Sequence, residues 1–403
     1  MTSRNPEAWD VTWLEAVVNG DTLHSFGLHL IGTPDTAQVV EKVREKIQAL
    51  LDLEFENNRT ISRREIVTTQ IIPFYHKFQS WEIVLDLKET VRNKHVYFFG
   101  DPNGAAEKIE EFLTESEIKQ AASQEKPNYS DKMLHSLFAL GCIAENGART
   151  TNAVFASMPY SRQDQPTQKR RQPSSFKMVA DWIQKITTRD GYVICLDLHN
   201  PSSKSFFSET NFLNLHVGWF IEEVRRKMKK KDMRLLPTDQ GWDKKMSAIA
   251  EEQRLPYDPV LKRRSYSQSG VVDETLIYSE IEGQNILIHD DMLDGGGTLI
   301  SLLEKILAKK PKSINVAITH WMFNGAAKER LWELIKKSKW VIEKIYVTNS
   351  IYRDWLPDFV EQIDDSQIIA NTITSIYKGT GVDRNDAKDY TLKVRKKKGQ
   401  KSK

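Results

Sequence analysis

Residues 286–298 read ILIHDDMLDGGGT. An apolar run of strand type ends in two acids, then come a third acid, three glycines and a threonine, and residues 298–308 take up helical spacing. In an α/β fold the loop after a parallel strand lines the ligand crevice. Glycines let backbone N–H groups come close to a phosphate, and the helix N-terminus that follows adds a favourable partial positive charge. Asp290 and Asp291 suit ribose hydroxyls or a Mg²⁺ ion held through water. The plainer alternative, a tight strand-to-helix turn with capping acids, does not account for adjacent acids facing a triple-glycine turn.

The same rhythm extends in both directions. Short apolar runs predict strands at 28–32, 81–87, 95–99, 152–157, 192–198, 233–237, 285–289, 314–319 and 342–347. Runs with apolar residues three and four apart predict helices at 36–51, 132–145, 174–187, 219–230, 242–253, 298–308 and 326–338. Strands alternating with helices, the strands themselves apolar, imply α/β architecture with doubly wound parallel sheets. The 403 residues favour two domains. The expected division is an N-terminal extension (1–27), a first domain (28–212) with a charged insertion at about 103–127, a second domain (213–380), and a basic tail (381–403).

Hydrophobic residues at 39% and charged residues at 28% fit a soluble globular chain. With 58 basic and 55 acidic residues the net charge is +3, which gives no general case for a nucleic-acid partner. The basic excess is partly local, in KVRKKKGQKSK at 393–403, a run that reads as a solvated tail. Cys142 and Cys195 both lie in apolar runs and are expected to be buried thiols, which points to a reducing, cytoplasmic setting. No signal peptide is expected, and no apolar run is long enough to predict a membrane span.

Five further segments accompany the glycine loop. Residues 160–173 read YSRQDQPTQKRRQP and continue SSFKMVADWI; 195–200 read CLDLHN, with FF at 206–207; 236–242 read LPTDQGW; 258–270 read DPVLKRRSYSQSG; and 78–82 read FQSWE. With the loop at 286–298, these stand in the order found in the ribose-phosphate pyrophosphokinase (PRPP synthetase) family, which the chain resembles from about 28 to 378. A further match, THWMFNGAAKER at 319–330, reads as architecture. The resemblance implies domains of the type I phosphoribosyltransferase kind and a Mg²⁺-dependent transfer of diphosphate from ATP to ribose 5-phosphate. It implies that Arg162, Gln163, Phe78 and Glu82 contact ATP, the last two from a neighbouring subunit, so the protein should be at least a dimer. It implies that His199 and Asp239 lie at the metal. Asp290, Asp291, Asp294, Gly295, Gly296, Gly297 and Thr298 would hold the ribose phosphate. Lys262 and Arg264, in what corresponds to a flexible catalytic loop, would stabilise the transferring group.

The sequence departs from the family pattern at informative places. Gly295 stands where the family has Thr, and Ser80 and Trp81 where it has Asp and Gly. A hydroxyl lost from the phosphate loop removes a hydrogen bond worth about 1.5–3 kcal/mol when the acceptor is charged. A wider loop would admit a larger acceptor such as ADP-ribose. Two other classes compete: a catalytically silent associated regulator, which would be expected to lose the cations and acids retained here, and a phosphoribosyltransferase, which would not need the RQD, DLH and KRR segments.

Overall fold

The computed structural model describes residues 27–57, 67–72, 82, 85–104, 115, 127–166, 171–187, 190–230, 232–238, 242–267, 270–276, 280–324, 326–353 and 355–379. Phe78, Asp239, the basic tail and most of the 103–127 insertion and the N-terminal extension lie outside them. The chain forms two compact units. Unit 1 comprises the described parts of Met1–Cys195, Asn200–Leu215 and Ser366–Lys403, and unit 2 comprises Leu196–His199 and His216–Asp365.

In unit 1, β1 (Leu28–Gly32), β2 (Val67–Ile71), β3 (His95–Phe99), β4 (Thr150–Val154), β5 (Tyr192–Leu196) and β6 (Asn211–Leu215) form a sheet of order β2-β1-β3-β4-β5-β6. The pairs β1–β2, β1–β3, β3–β4 and β4–β5 are parallel, and the chain steps outward from β1 on both sides. β1 and β3 are apolar runs buried on both faces, as strands in a covered parallel sheet are. Helices α1 (Ala37–Asn57), α2 (Tyr129–Glu145) and α3 (Ser175–Ile186) alternate with these strands. Asn128 caps α2 by accepting from the backbone N–H groups of Ser130 and Asp131, and Ser174 caps α3 by accepting from Lys177 N–H.

In unit 2, β7 (Arg234–Pro237), β10 (Asn285–Leu293), β11 (Ser313–Trp321), β12 (Ile342–Thr348) and β13 (Val360–Ile363) form a second parallel sheet, order β13-β12-β11-β10-β7. Here the chain steps in one direction. Its helices are α4 (Gly218–Met228), α5 (Asp243–Gln253), α6 (Gly297–Ala308) and α7 (Ala327–Lys337). Ile286 and Ile288 of β10, Leu299 and Leu303 of α6, Ile314 and Val316 of β11, and Leu331 and Ile335 of α7 share one core. Each fully buried aliphatic side chain of this kind stabilises the fold by about 1.5–3 kcal/mol. A separate antiparallel ribbon pairs β8 (Leu261–Ser267) with β9 (Gly270–Leu276).

Several expectations need correction. Residues 85–87 form no strand, and the strand beside β1 is Val67–Ile71. The segment expected as a flexible loop at 258–270 contributes β8 and the start of β9, so Lys262 and Arg264 lie on a strand. β10 continues four residues past His289 and carries Asp290 and Asp291 with it. A last helix, α8 (Ser366–Tyr377), was not expected and packs on α1 in unit 1. Cys195 is buried as expected, whereas Cys142 is only half-buried; both are free thiols. Among the described residues no helix is long and apolar enough to cross a membrane.

Two histidines of the first sheet, His29 buried and His95 half-buried, make it acid-sensitive. His29 contacts Thr68 Oγ1 and Gln70 Nε2, and His95 Nδ1 lies 3.0 Å from Thr150 Oγ1. Burial, with smaller contributions from Lys94 and Arg149 respectively, lowers each from 6.5 to about 4. Between those values the unfolded chain binds more protons than the folded one, so stability falls as pH drops from about 6.5 towards 4. Urea midpoints measured across that window should decline and should flatten in His29→Gln and His95→Gln; a flat wild-type profile would contradict this assignment.

Candidate active site

β5 ends at Leu196, and Asp197, Leu198 and His199 follow as part of unit 2. Asp197 takes a left-handed backbone, φ 54°, unusual for a residue with a side chain. Its carboxylate is fully enclosed. One oxygen pairs with the Lys245 ammonium of α5, and the other accepts from the Thr319 hydroxyl of β11. His320, next on β11, joins Leu196 O at 2.8 Å and Ser350 Oγ at 2.8 Å. Burial holds its pKa down at about 4, so the ring is neutral and donates through Nε2 to the carbonyl. These contacts fix the exit from β5 and carry the chain to His199.

His199 Nδ1–H donates to Asp291 Oδ2 at 2.6 Å, and this sets the tautomer and the plane of the ring. Asp291 is 1% exposed, while Asp290 is half-buried, because neighbouring residues of a strand face opposite ways. Asp290 Oδ1 accepts from the Asp291 backbone N–H, and Asp294 Oδ1 accepts from Asn324 Nδ2 at 2.8 Å. After Leu293 the chain turns through Asp294 and Gly295 to Gly296, whose φ of 73° is the left-handed setting that favours glycine. Gly296 is the N-cap of α6, so Gly297 and Thr298, both exposed, occupy its first turn. Backbone N–H groups there have no intrahelical acceptor and are suited to an anion. A Cβ at Gly295 would meet nothing within 4 Å. The described part of unit 2 thus brings together His199, Asp290, Asp291, Asp294 and the turn 295–298.

In unit 1, Arg162 and Gln163 are exposed on a 3-10 turn at Ser161–Gln163 beyond the end of β4. Tyr160, left-handed at φ 59°, opens the turn; its N–H donates to Tyr129 Oη at 3.1 Å and the two rings meet edge to face. Asp164 closes it: Oδ2 accepts from Asn200 Nδ2 at 2.6 Å and from Ser203 Oγ at 3.1 Å, and its carbonyl accepts from Ser174 Oγ at 2.8 Å. Glu82 is exposed. Lys262 and Arg264 lie opposite Thr275 and Asp273 in the backbone register of the ribbon.

Comparison with known proteins fits this arrangement. Residues 58–186 match the model of the N-terminal domain of ribose phosphate pyrophosphokinase, and residues 246–354 match the phosphoribosyl transferase domain. The chain belongs to the ribose-phosphate pyrophosphokinase family. A ribose-phosphate pyrophosphokinase of Mycoplasma genitalium is 27% identical over 276 residues, 68% of this chain and 74% of that protein. Ribose-phosphate pyrophosphokinase 2 of Saccharomyces cerevisiae is 26% identical over 315 residues, 76% and 86% of the two chains. The crystal structure of phosphoribosylpyrophosphate synthetase from Mycobacterium smegmatis shares the fold, with a TM-score of 0.66 at 18% identity, covering 88% of this chain and 99% of that one.

Among the described residues no group of three or more His, Cys, Asp or Glu side chains is placed to enclose a metal. Mg²⁺ bound with nucleotide phosphates needs no such cage, because it keeps water and takes one or two protein groups. His199, oriented by Asp291, fits that requirement. Sequence reasoning missed the support beneath: Asp164, Asp197, Lys245, Thr319 and His289. For Asp164 and Asp197 a signal was present, since each sits inside a motif, RQD or DLH, that had been read for its other residues.

Proposed function

We propose that the protein transfers the β,γ-diphosphate of ATP to the C1 hydroxyl of ribose 5-phosphate, giving 5-phosphoribosyl 1-diphosphate and AMP. The observation that carries this reading is the sequence of features at the end of β10: paired acids, a left-handed glycine turn and an open helix N-terminus, with His199 held on Asp291. Asp290 and Asp291 take the ribose hydroxyls. Backbone N–H groups from Gly295 to Thr298 take the 5-phosphate, and Asp294 braces the turn through Asn324. Arg162 and Gln163, with Phe78 and Glu82 of a neighbouring subunit, contact ATP, as the family pattern assigns them, which requires at least a dimer.

The C1 oxygen attacks the β-phosphorus in line. A bond forms between them, the bond from the β-phosphorus to the α–β bridging oxygen breaks, AMP leaves with that oxygen, and the hydroxyl proton is released. Transfer of this kind depends on positioning and on neutralising charge, and Lys262 and Arg264 supply positive charge to the moving group. His199 and Asp239 would hold Mg²⁺, which would supply neutralising charge to the phosphates of ATP. A soluble cytoplasmic setting, where ATP and sugar phosphates are available, suits this chemistry.

One observation favours a second reading of the acceptor. Open space around Gly295, where the family has a hydroxyl-bearing side chain, leaves room for a ribose whose 5-phosphate is esterified, such as ADP-ribose. AMP release measured with ATP and Mg²⁺ separates the readings. AMP formed with ribose 5-phosphate alone establishes the first, and AMP formed with ADP-ribose alone establishes the second. No AMP with either acceptor would overturn the enzymatic reading in favour of a silent regulator.

A further inference from the structure

We propose that Trp242 is a positioning residue: its indole walls the His199 imidazole and, together with the bond to Asp291, holds that ring in the orientation a metal ligand needs. The inference rests on the metal reading of His199 given above. Trp242 has no part in the transfer described above, and it is 5% exposed.

Trp242 is the N-cap of α5, and its side chain makes no capping hydrogen bond there. Ser, Thr, Asp and Asn are the residues that stabilise a helix from that position, and an indole does not. The helix thus gives no reason for tryptophan at 242. The reason lies in what the ring meets. Its centre is 6.3 Å from that of the His199 ring, with the planes at 63°, and 6.4 Å from that of His289, with the planes at 78°. Both contacts are edge to face, an arrangement that aromatic rings prefer over a direct sandwich. The indole is itself held in place. His289 is fully buried on β10, and the Lys245 ammonium, in the first turn of α5, lies 4.4 Å from the centre of the indole. Lys245 is tied in turn to Asp197, whose other oxygen accepts from Thr319. A wall fixed in this way does not yield to a neighbour that turns.

His199 is a residue that needs a wall. Its side chain is 35% exposed, so water competes for its ring. An imidazole turns about two side-chain bonds, and Asp291 restrains it at one atom, Nδ1. With the proton on Nδ1 the lone pair is on Nε2, the atom that a metal ion would take. A ring contact added to the bond removes rotamers that the bond alone would permit, and so keeps that lone pair aimed. Groups behind a metal ligand typically change metal affinity by about 10–100-fold when removed.

The test is the dissociation constant of Mn²⁺ bound together with the α,β-methylene analogue of ATP, read by electron paramagnetic resonance on the full-length protein. His199→Ala should weaken binding. Trp242→Leu keeps an apolar side chain in the space and removes the ring, and thermal melting should show it folded; its Mn²⁺ dissociation constant should rise about tenfold or more. Trp242→Phe, which keeps an aromatic ring beside His199, should recover most of that loss. In the His199→Ala background Trp242→Leu should add nothing, because a residue that acts through the imidazole has no effect once the imidazole is gone. Suppose His199→Ala weakens binding. Wild-type affinity in Trp242→Leu, an equal loss from Trp242→Leu in both backgrounds, or an equal loss in Trp242→Phe would then overturn the positioning role and leave the metal reading standing. If His199→Ala changes nothing, the metal reading fails and this inference with it. Should Trp242→Leu not fold, Trp242→Met, which fills more of the space without a ring, decides by the same comparison of backgrounds.

Discussion

Lys262→Ala is expected to lower kcat by about 10²–10³-fold, the scale on which one preorganised charge stabiliser acts. The transferring diphosphoryl group gathers negative charge at a point where the protein has little covalent chemistry to offer, so cations aimed at it carry much of the rate. Lys262 lies on β8, in a two-stranded ribbon separate from both main sheets. Its removal should leave the thermal midpoint unchanged, which separates a catalytic loss from a folding defect. Arg264 is two positions along the same strand, opposite Asp273 in the register. If the two cations act as a unit, the double alanine variant will lose little more than the worse single one. The measurement is steady-state AMP release at saturating ATP and acceptor, with melting curves on the same preparations. Turnover of Lys262→Ala near the wild-type rate would remove the ribbon from the mechanism.

That ribbon also shows where the sequence was legible and where it was not. β1 and β3 lie at the residues expected, because a strand covered on both faces of a parallel sheet is mostly apolar, and LHLIG and HVYFF are short runs of that kind with one histidine each. β8 carries LKRRSYS. The resemblance placed it in a flexible loop, and its pairing with GVVDETL is supplied by a partner strand, not by its own pattern. The residues 81–87 mislead in the opposite sense: WEIVLDL has strand composition, yet 85–87 are not in a sheet, and the place beside β1 goes to VTTQI. Composition records that a segment fits a pleated surface; it does not record which neighbour will hydrogen-bond to it.

The site divides along the same line. The acids, the glycines and the threonine of 290–298 are contiguous, so their chemistry could be read from the chain. The strand's continuation through Leu293 could not, since it depends on β11 running alongside to Trp321. Least legible was the hub at Asp197, whose partners Lys245 and Thr319 are distant in sequence and meet it only in the folded unit. A motif exposes the residues that meet the ligand, while the residues that aim them are dispersed by the topology.

Asp290→Ala and Asp291→Ala, adjacent and chemically identical substitutions, should therefore fail in different ways. Asp290 is half-buried and makes no part of the His199–Asp291 bond, so its truncation removes contacts to the ribose hydroxyls and leaves the imidazole held. One hydrogen bond to a charged group, at about 1.5–3 kcal/mol, corresponds to roughly a 10–100-fold rise in KM for the acceptor. Its melting temperature and its dependence on Mg²⁺ should stay as in the wild type. Asp291 is 1% exposed and receives the His199 Nδ1–H at 2.6 Å. Its truncation removes a ribose contact and also frees the imidazole to rotate, so the loss must reach kcat and the Mg²⁺ activation constant. Losing a buried, hydrogen-bonded carboxylate of this kind costs about 2–5 kcal/mol, a drop of roughly 30- to 5,000-fold in kcat/KM. Initial rates over a grid of acceptor and Mg²⁺ concentrations distinguish the two patterns. Equal effects of the two variants on KM, with Mg²⁺ activation unchanged in both, would mean that the His199–Asp291 bond has no part in the reaction.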